Sequence, residues 1–111
     1  MLRVIFVLLA LTATARGQAV VFTFDQWARL SPGLKEIYIS GAVDAIFTVA
    51  VPAQVATAKF YNDCFVEKKI KAHDIVEGME ALVRSRPELY SKPATAVLMQ
   101  SLTKLCGTPN L

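Results

Sequence analysis

Cys64 and Cys106 are the only cysteines in the chain, and they bracket about 43 residues. Between them lie two stretches with the apolar spacing of helices, Asp74 to Arg86 and Pro93 to Leu105. An even pair of cysteines in an exported chain reads as a disulfide. A lone pair with no nearby histidine or further cysteine cannot complete a four-ligand zinc site. The chain-entropy model assigns a bridge over such a loop roughly 4 kcal/mol. That is a large share of the ~5–15 kcal/mol a domain has in total, and small domains often need such a staple. A Cys64–Cys106 disulfide is therefore expected to organise the fold.

Export is expected from the N-terminus. Arg3 is a short basic lead, Val4 to Leu11 an unbroken apolar run, and small residues follow. Ala13-Thr14-Ala15 forms an A-x-A cleavage site and Gly17-Gln18-Ala19 a second, so a signal peptide is expected over residues 1–19, cut after about 15 or 19. The apolar run is about half of the ~20 residues that span a bilayer. An uncleaved anchor is the alternative, and no stable membrane insertion is expected once the signal is removed. Residues 20–111 are expected to form one domain. The net charge of +3 falls to about +2 on losing Arg3, and to about +1 if Arg16 goes too. That balance, with no basic stripe interleaved with aromatics, argues against nucleic acid as a partner.

The mature chain reads as helix after helix. Thr23 stands three residues before Gln26, the spacing of a capping box, and predicts a short helix through Trp27 to about Leu30. Ser31-Pro32 restarts the chain with a hydroxyl cap and a proline at the first helical position. From there to about Ala50 a long helix is predicted, its polar residues Glu36, Ser40, Asp44 and Thr48 on one stripe and nearly all else apolar or small. So wide an apolar surface implies packing on several sides. Gly41 in its interior costs about 1 kcal/mol relative to Ala, which close approach of a neighbouring helix would justify. Pro52 opens a further helix toward Cys64. Glu67, Lys68, Lys69 and Lys71 read as a solvated loop.

Asp74 with Glu77 three residues on predicts an acid-capped helix, carried by Ile75, Val76, Met79, Leu82 and Val83 and stopped by Pro87. In the last helix Ala94, Val97, Leu98, Ser101, Leu102 and Leu105 recur at helical spacing, with Gly107 as its terminator. No strand alternation or hairpin dipeptide appears. The expected fold is all-α: a small bundle of about four to five helices stapled by one disulfide.

No catalytic constellation emerges, so no catalytic, cofactor or metal residue is assigned. His73, the only histidine, stands beside Asp74 at a helix start and reads as a capping or surface residue. No serine or free cysteine is placed to act as its nucleophile. Asp44 reads as a carboxylate that caps a neighbouring helix or bonds a buried amide. The phosphate-loop and zinc-protease motifs are missing. Catalysis by this chain is not expected.

Two pieces of the chain resemble one family. Tyr38-Ile39-Ser40-Gly41-Ala42-Val43-Asp44-Ala45 is similar to the Y-x-x-G-x-x-D-A helix of the Rap1a/Tai immunity proteins. Downstream, Cys64, an acid-capped helix, Arg86-Pro87-Glu88, Pro93-Ala94 and the final Cys106 follow the order of elements in that family. The resemblance runs from Tyr38 to Cys106. It implies a small helical periplasmic protein that binds and neutralises a type VI secreted peptidoglycan amidase by occlusion. Tyr38, Gly41 and Asp44 are carried over as signature residues of the fold. The chain has Leu34-Lys35-Glu36-Ile37 where the family commonly has a cysteine before the tyrosine. It also has Val66 in place of a usual proline, and Leu105 before the last cysteine. The expected partner is a protein, a cell-wall amidase or similar effector, with homodimerisation left open. The alternative from another class is a periplasmic stress chaperone resembling HdeA, which also pairs two cysteines across a helical span.

Overall fold

A computed structural model describes residues 21–48 and 52–110. The expected signal peptide, its cleavage sites and the far end of the long helix lie outside these residues. Among the described residues the fold is all-α: five α-helices, no strand, and the Cys64–Cys106 disulfide with its Cα atoms 5.8 Å apart.

The first helix, α1 (Phe24–Ala28), starts where the capping box places it. The Thr23 hydroxyl accepts from the Gln26 N–H, and the Gln26 side chain accepts in return from the Thr23 N–H. It ends at Ala28, two residues before the expected Leu30, and Phe24 and Trp27 are buried. The segment before it is tied to the far end of the chain. The Phe24 N–H donates to Lys92 O at 2.8 Å, and the Ala94 N–H donates to Phe22 O at 2.7 Å. These two bonds fix α1 against the start of the last helix.

Helix α2 (Pro32–Thr48) begins at the predicted proline. A short 3-10 turn, Pro52–Gln54, precedes α3 (Val55–Glu67), so Pro52 opens a turn and not the α-helix itself. Helix α4 (Ala72–Ser85) starts two residues earlier than its acidic signal suggested. Asp74 sits inside the first turn, where its carboxylate accepts from the Lys71 N–H at 2.8 Å. It satisfies the start of the helix by reaching back, in the position that the sequence spacing had assigned to Glu77. Pro87 ends α4 as expected and opens a second 3-10 turn, Pro87–Ser91. Helix α5 (Ala94–Cys106) stops at Gly107, whose φ of 84° suits a residue without a Cβ.

The core is built on α4 and α5, which form the most extensively packed pair of helices. Met79, Leu82 and Val83 of α4 meet Val97, Leu98 and Leu102 of α5, with Trp27, Phe47, Tyr61 and Leu89 closing the sides. At Gly78 the two helices approach so closely that a Cβ would stand 2.7 Å from Ser101 Oγ. Ser101 is the one buried polar residue among those described, and its hydroxyl has no hydrogen-bond partner there. The disulfide joins the end of α5 to α3, and beside it Lys68 Nζ donates to Leu105 O at 2.7 Å. Part of the charged loop thus completes the end of α5, where carbonyls lack helical partners.

Helix α2 departs from expectation. Only Ile39 and Phe47 are buried on it. It packs chiefly against α3 and α4, and among the described residues no helix packs on its opposite side. Among the described residues the expected packing on several sides is not found, nor is the close approach at Gly41: none of their atoms lies within 4 Å of where its Cβ would be. Periodicity reports how apolar a surface is, and α2 is apolar beyond what its described neighbours cover.

Candidate functional site

At about 100° per residue, Leu34, Ile37, Gly41 and Ala45 fall on one face of α2. All four are exposed, Leu34 at 51% and Ile37 at 68%. Single exposed aliphatic residues are ordinary on a protein surface, whereas a contiguous apolar strip is a mark of interaction sites. The strip continues into a shallow hollow of about 440 Å³ along Tyr38, Gly41, Ala42 and Ile46, reaching Thr95 at the start of α5. The two smallest residues of the strip, Gly41 and Ala45, lie one turn apart, so an approaching surface can come close to the helix backbone there.

The three signature residues occupy different environments. Tyr38 is half-buried and stands edge-on to Phe22, with ring centroids 5.8 Å apart. Burial raises its phenol pKa above the ordinary value. It therefore braces the lead-in segment against α2, a structural role. Gly41 has none of the described residues within 4 Å of its Cβ position. Asp44 is exposed and accepts from the hydroxyl of Thr48 on its own helix. Among the described residues it neither caps a neighbouring helix nor bonds a buried amide, the two roles that the sequence reading had expected. Asp44, Ser40 and Thr48 instead form the polar edge of a second hollow of about 330 Å³, floored by Ile39, Val43, Phe65 and Ile75.

His73 is exposed, with Nε2 3.1 Å from Glu77 and Nδ1 3.7 Å from Glu36 on α2. It belongs to a surface bridge between α2 and α4, in agreement with the surface reading. The described residues hold no cluster of metal-ligating side chains, and no single helix among them is long and apolar enough to cross a membrane. Sequence reasoning noted the apolar surplus on α2 but assigned it to internal packing. The signal that could have separated the two readings was the run of small residues Gly41, Ala42 and Ala45 beside Ile37.

Fold and surface together define a class: a small helical domain, stapled by one disulfide, with an apolar helix face left uncovered by the described residues. Searches against protein-family models, curated proteins and solved structures returned no match.

Proposed function

We propose that this chain is an exported periplasmic binding protein of the Rap1a/Tai type. It neutralises a peptidoglycan amidase effector or a related target by docking directly on it, with no chemistry of its own. The observation that carries this reading is the outward face of α2, where Ile37 is 68% exposed and, among the described residues, no atom lies near the Cβ position of Gly41. A glycine that costs helix stability and relieves no internal crowding is accounted for by a partner that approaches there. The Tyr38 to Ala45 string that resembles the family helix lies on this element. The disulfide is compatible with the oxidising compartment that export implies.

The acid-chaperone alternative requires groups whose protonation opens the core. Among the described residues the core contains no carboxylate and no histidine, and Ser101 is its only polar member, which supports the immunity reading over it.

The test is capture of partners from periplasmic extract by the tagged protein at neutral pH, read by mass spectrometry. One stoichiometric cell-wall hydrolase, lost with Ile37→Glu, is the expected outcome. Many unrelated clients that bind only under acid conditions would replace this reading with the chaperone, and an empty capture would remove its basis.

A further inference from the structure

Away from the α2 face, a hollow of about 470 Å³ opens between α1, the last turns of α4 and the 3-10 turn that follows. Its walls are apolar, formed by Phe24, Ala28, Val83, Pro87 and Tyr90. Tyr90 is 48% exposed and stands edge-on to buried Phe24, ring centroids 5.6 Å apart. Three charged side chains complete the lining: Lys35, Glu80 and Arg84.

Lys35 and Glu80 neutralise one another, Nζ to Oε1 3.2 Å. The ammonium is held further over the Trp27 ring, 5.4 Å from its centroid, and its side chain is only 16% exposed. Arg84 makes no ion pair among the described residues. Two cations thus face one carboxylate at the mouth. The nearby Asp25 and Glu88, in an adjoining depression beside Tyr90, are engaged by Arg29 and Arg86. A cation in the last turn of α4 suits the helix C-terminus, but that does not account for the aromatic-walled hollow next to it.

Small-molecule sites are commonly apolar clefts of this size with a few placed polar groups. A free guanidinium takes a carboxylate through two parallel hydrogen bonds, and aromatic walls take an apolar body. We propose that this cleft binds a small organic carboxylate with an aromatic or aliphatic body. The body lies against Tyr90, Ala28 and Val83, and the carboxylate sits on Arg84, the one charged group of the lining without a partner among the described residues. The site is independent of the docking reading: it uses only Lys35 of α2, which lies off the outward face, so occupant and partner do not compete.

The only tryptophan reports on the cleft, since Trp27 stacks on Phe24 with centroids 5.3 Å apart and carries Lys35 over its ring. The probe is 4-phenylbutyrate, with 4-phenylbutan-1-ol and 4-phenylbutylamine as neutral and cationic bodies of matched shape. The expected result is a saturable change in Trp27 emission with the carboxylate, at an affinity about tenfold above that of the alcohol, as one charge-assisted contact implies, and none with the amine. Arg84→Gln weakens the carboxylate by about tenfold without changing the melting temperature, and Ala28→Phe fills the cleft and abolishes binding. Because Arg84 is exposed, its variant keeps the test valid even if Ala28→Phe fails to fold. Equal binding of carboxylate and alcohol overturns the proposal. So does full affinity in Arg84→Gln, amide NMR shifts confined to the α2 face, or no saturation by ~10 mM, weaker than such contacts support.

Discussion

Two glycines in helix interiors, Gly41 and Gly78, have opposite surroundings. Gly78 lies where α4 meets α5, and a Cβ there would press on Ser101 Oγ at 2.7 Å. Gly41 lies on α2 with nothing among the described residues within 4 Å of its Cβ position. Both carry the same helix-propensity cost of about 1 kcal/mol. At Gly78 the cost is offset inside the molecule by close helix packing. At Gly41 nothing within the fold offsets it. One half of the domain, α4 and α5 with the disulfide at its end, is built for internal stability. The other, the outer side of α2, is left unfinished.

The largest expected effect is on the stapled half. Replacing both Cys64 and Cys106 with serine should cost about 4 kcal/mol in urea unfolding, from the entropy the open loop regains. A loss well under 1 kcal/mol would show that helix packing alone holds α5 in place and would weaken the contrast.

Next comes the close approach itself. Gly78→Val should lose about 1–3 kcal/mol by overpacking against α5. Ser101→Ala removes a buried hydroxyl without a partner and should be neutral or gain up to about 1 kcal/mol. Gly78→Ala made in the Ser101→Ala background should cost less than in the parent, and the double-mutant cycle measures that coupling. Additive effects would mean that the two residues do not press on each other.

On α2 the sign reverses. Gly41→Ala should raise stability by about 1 kcal/mol, because the added methyl meets open space and the helix gains propensity. The same variant should bind the captured partner more weakly. A loss of stability would show that the site is not open in solution. Ile37→Glu should leave stability within about 0.5 kcal/mol, as an exposed substitution does, while removing binding.

The smallest effect belongs to the turn that joins α4 to α5. The pKa of Glu88 lies below its ordinary value, first through a hydrogen bond to its own backbone and then through Arg86, whose Nε stands 3.0 Å away. A depressed carboxylate contributes stability that is present above its ordinary pKa and is lost as pH falls through the lowered one. The contribution is slight, since the pair is exposed. Arg86→Gln should bring the titration of Glu88, followed by NMR, back toward the ordinary carboxylate range without fully reaching it. No movement would assign the whole shift to the backbone.

The sequence anticipated the local signals well. The Thr23–Gln26 capping box, the proline at the head of α2, the stop at Pro87 and the terminator Gly107 all act where their chemistry requires. Each is satisfied within a few residues, so no tertiary information is needed. The start of α4 shifted by two residues because an aspartate can serve a helix start either as the cap or from within the first turn. The 3-10 turn after Pro52 was hidden for a similar reason, as proline suits the beginning of either helix type.

What composition and spacing determined was the class of object: an all-α domain of about four to five helices with a disulfide between its only two cysteines. Helical period, caps, breakers and cysteine number are properties of neighbouring residues or simple counts. What only the tertiary structure decided was which apolar surface is covered. Ile39 and Ile37 are the same residue type two positions apart on one helix, yet Ile39 is fully buried and Ile37 is 68% exposed. Hydrophobicity states the tendency to be covered, and only the arrangement of α3, α4 and α5 determines which side of α2 receives it. The same holds for the glycines: the sequence shows two helical positions without a Cβ, and only the distance to the next helix separates the tight seam from the open face.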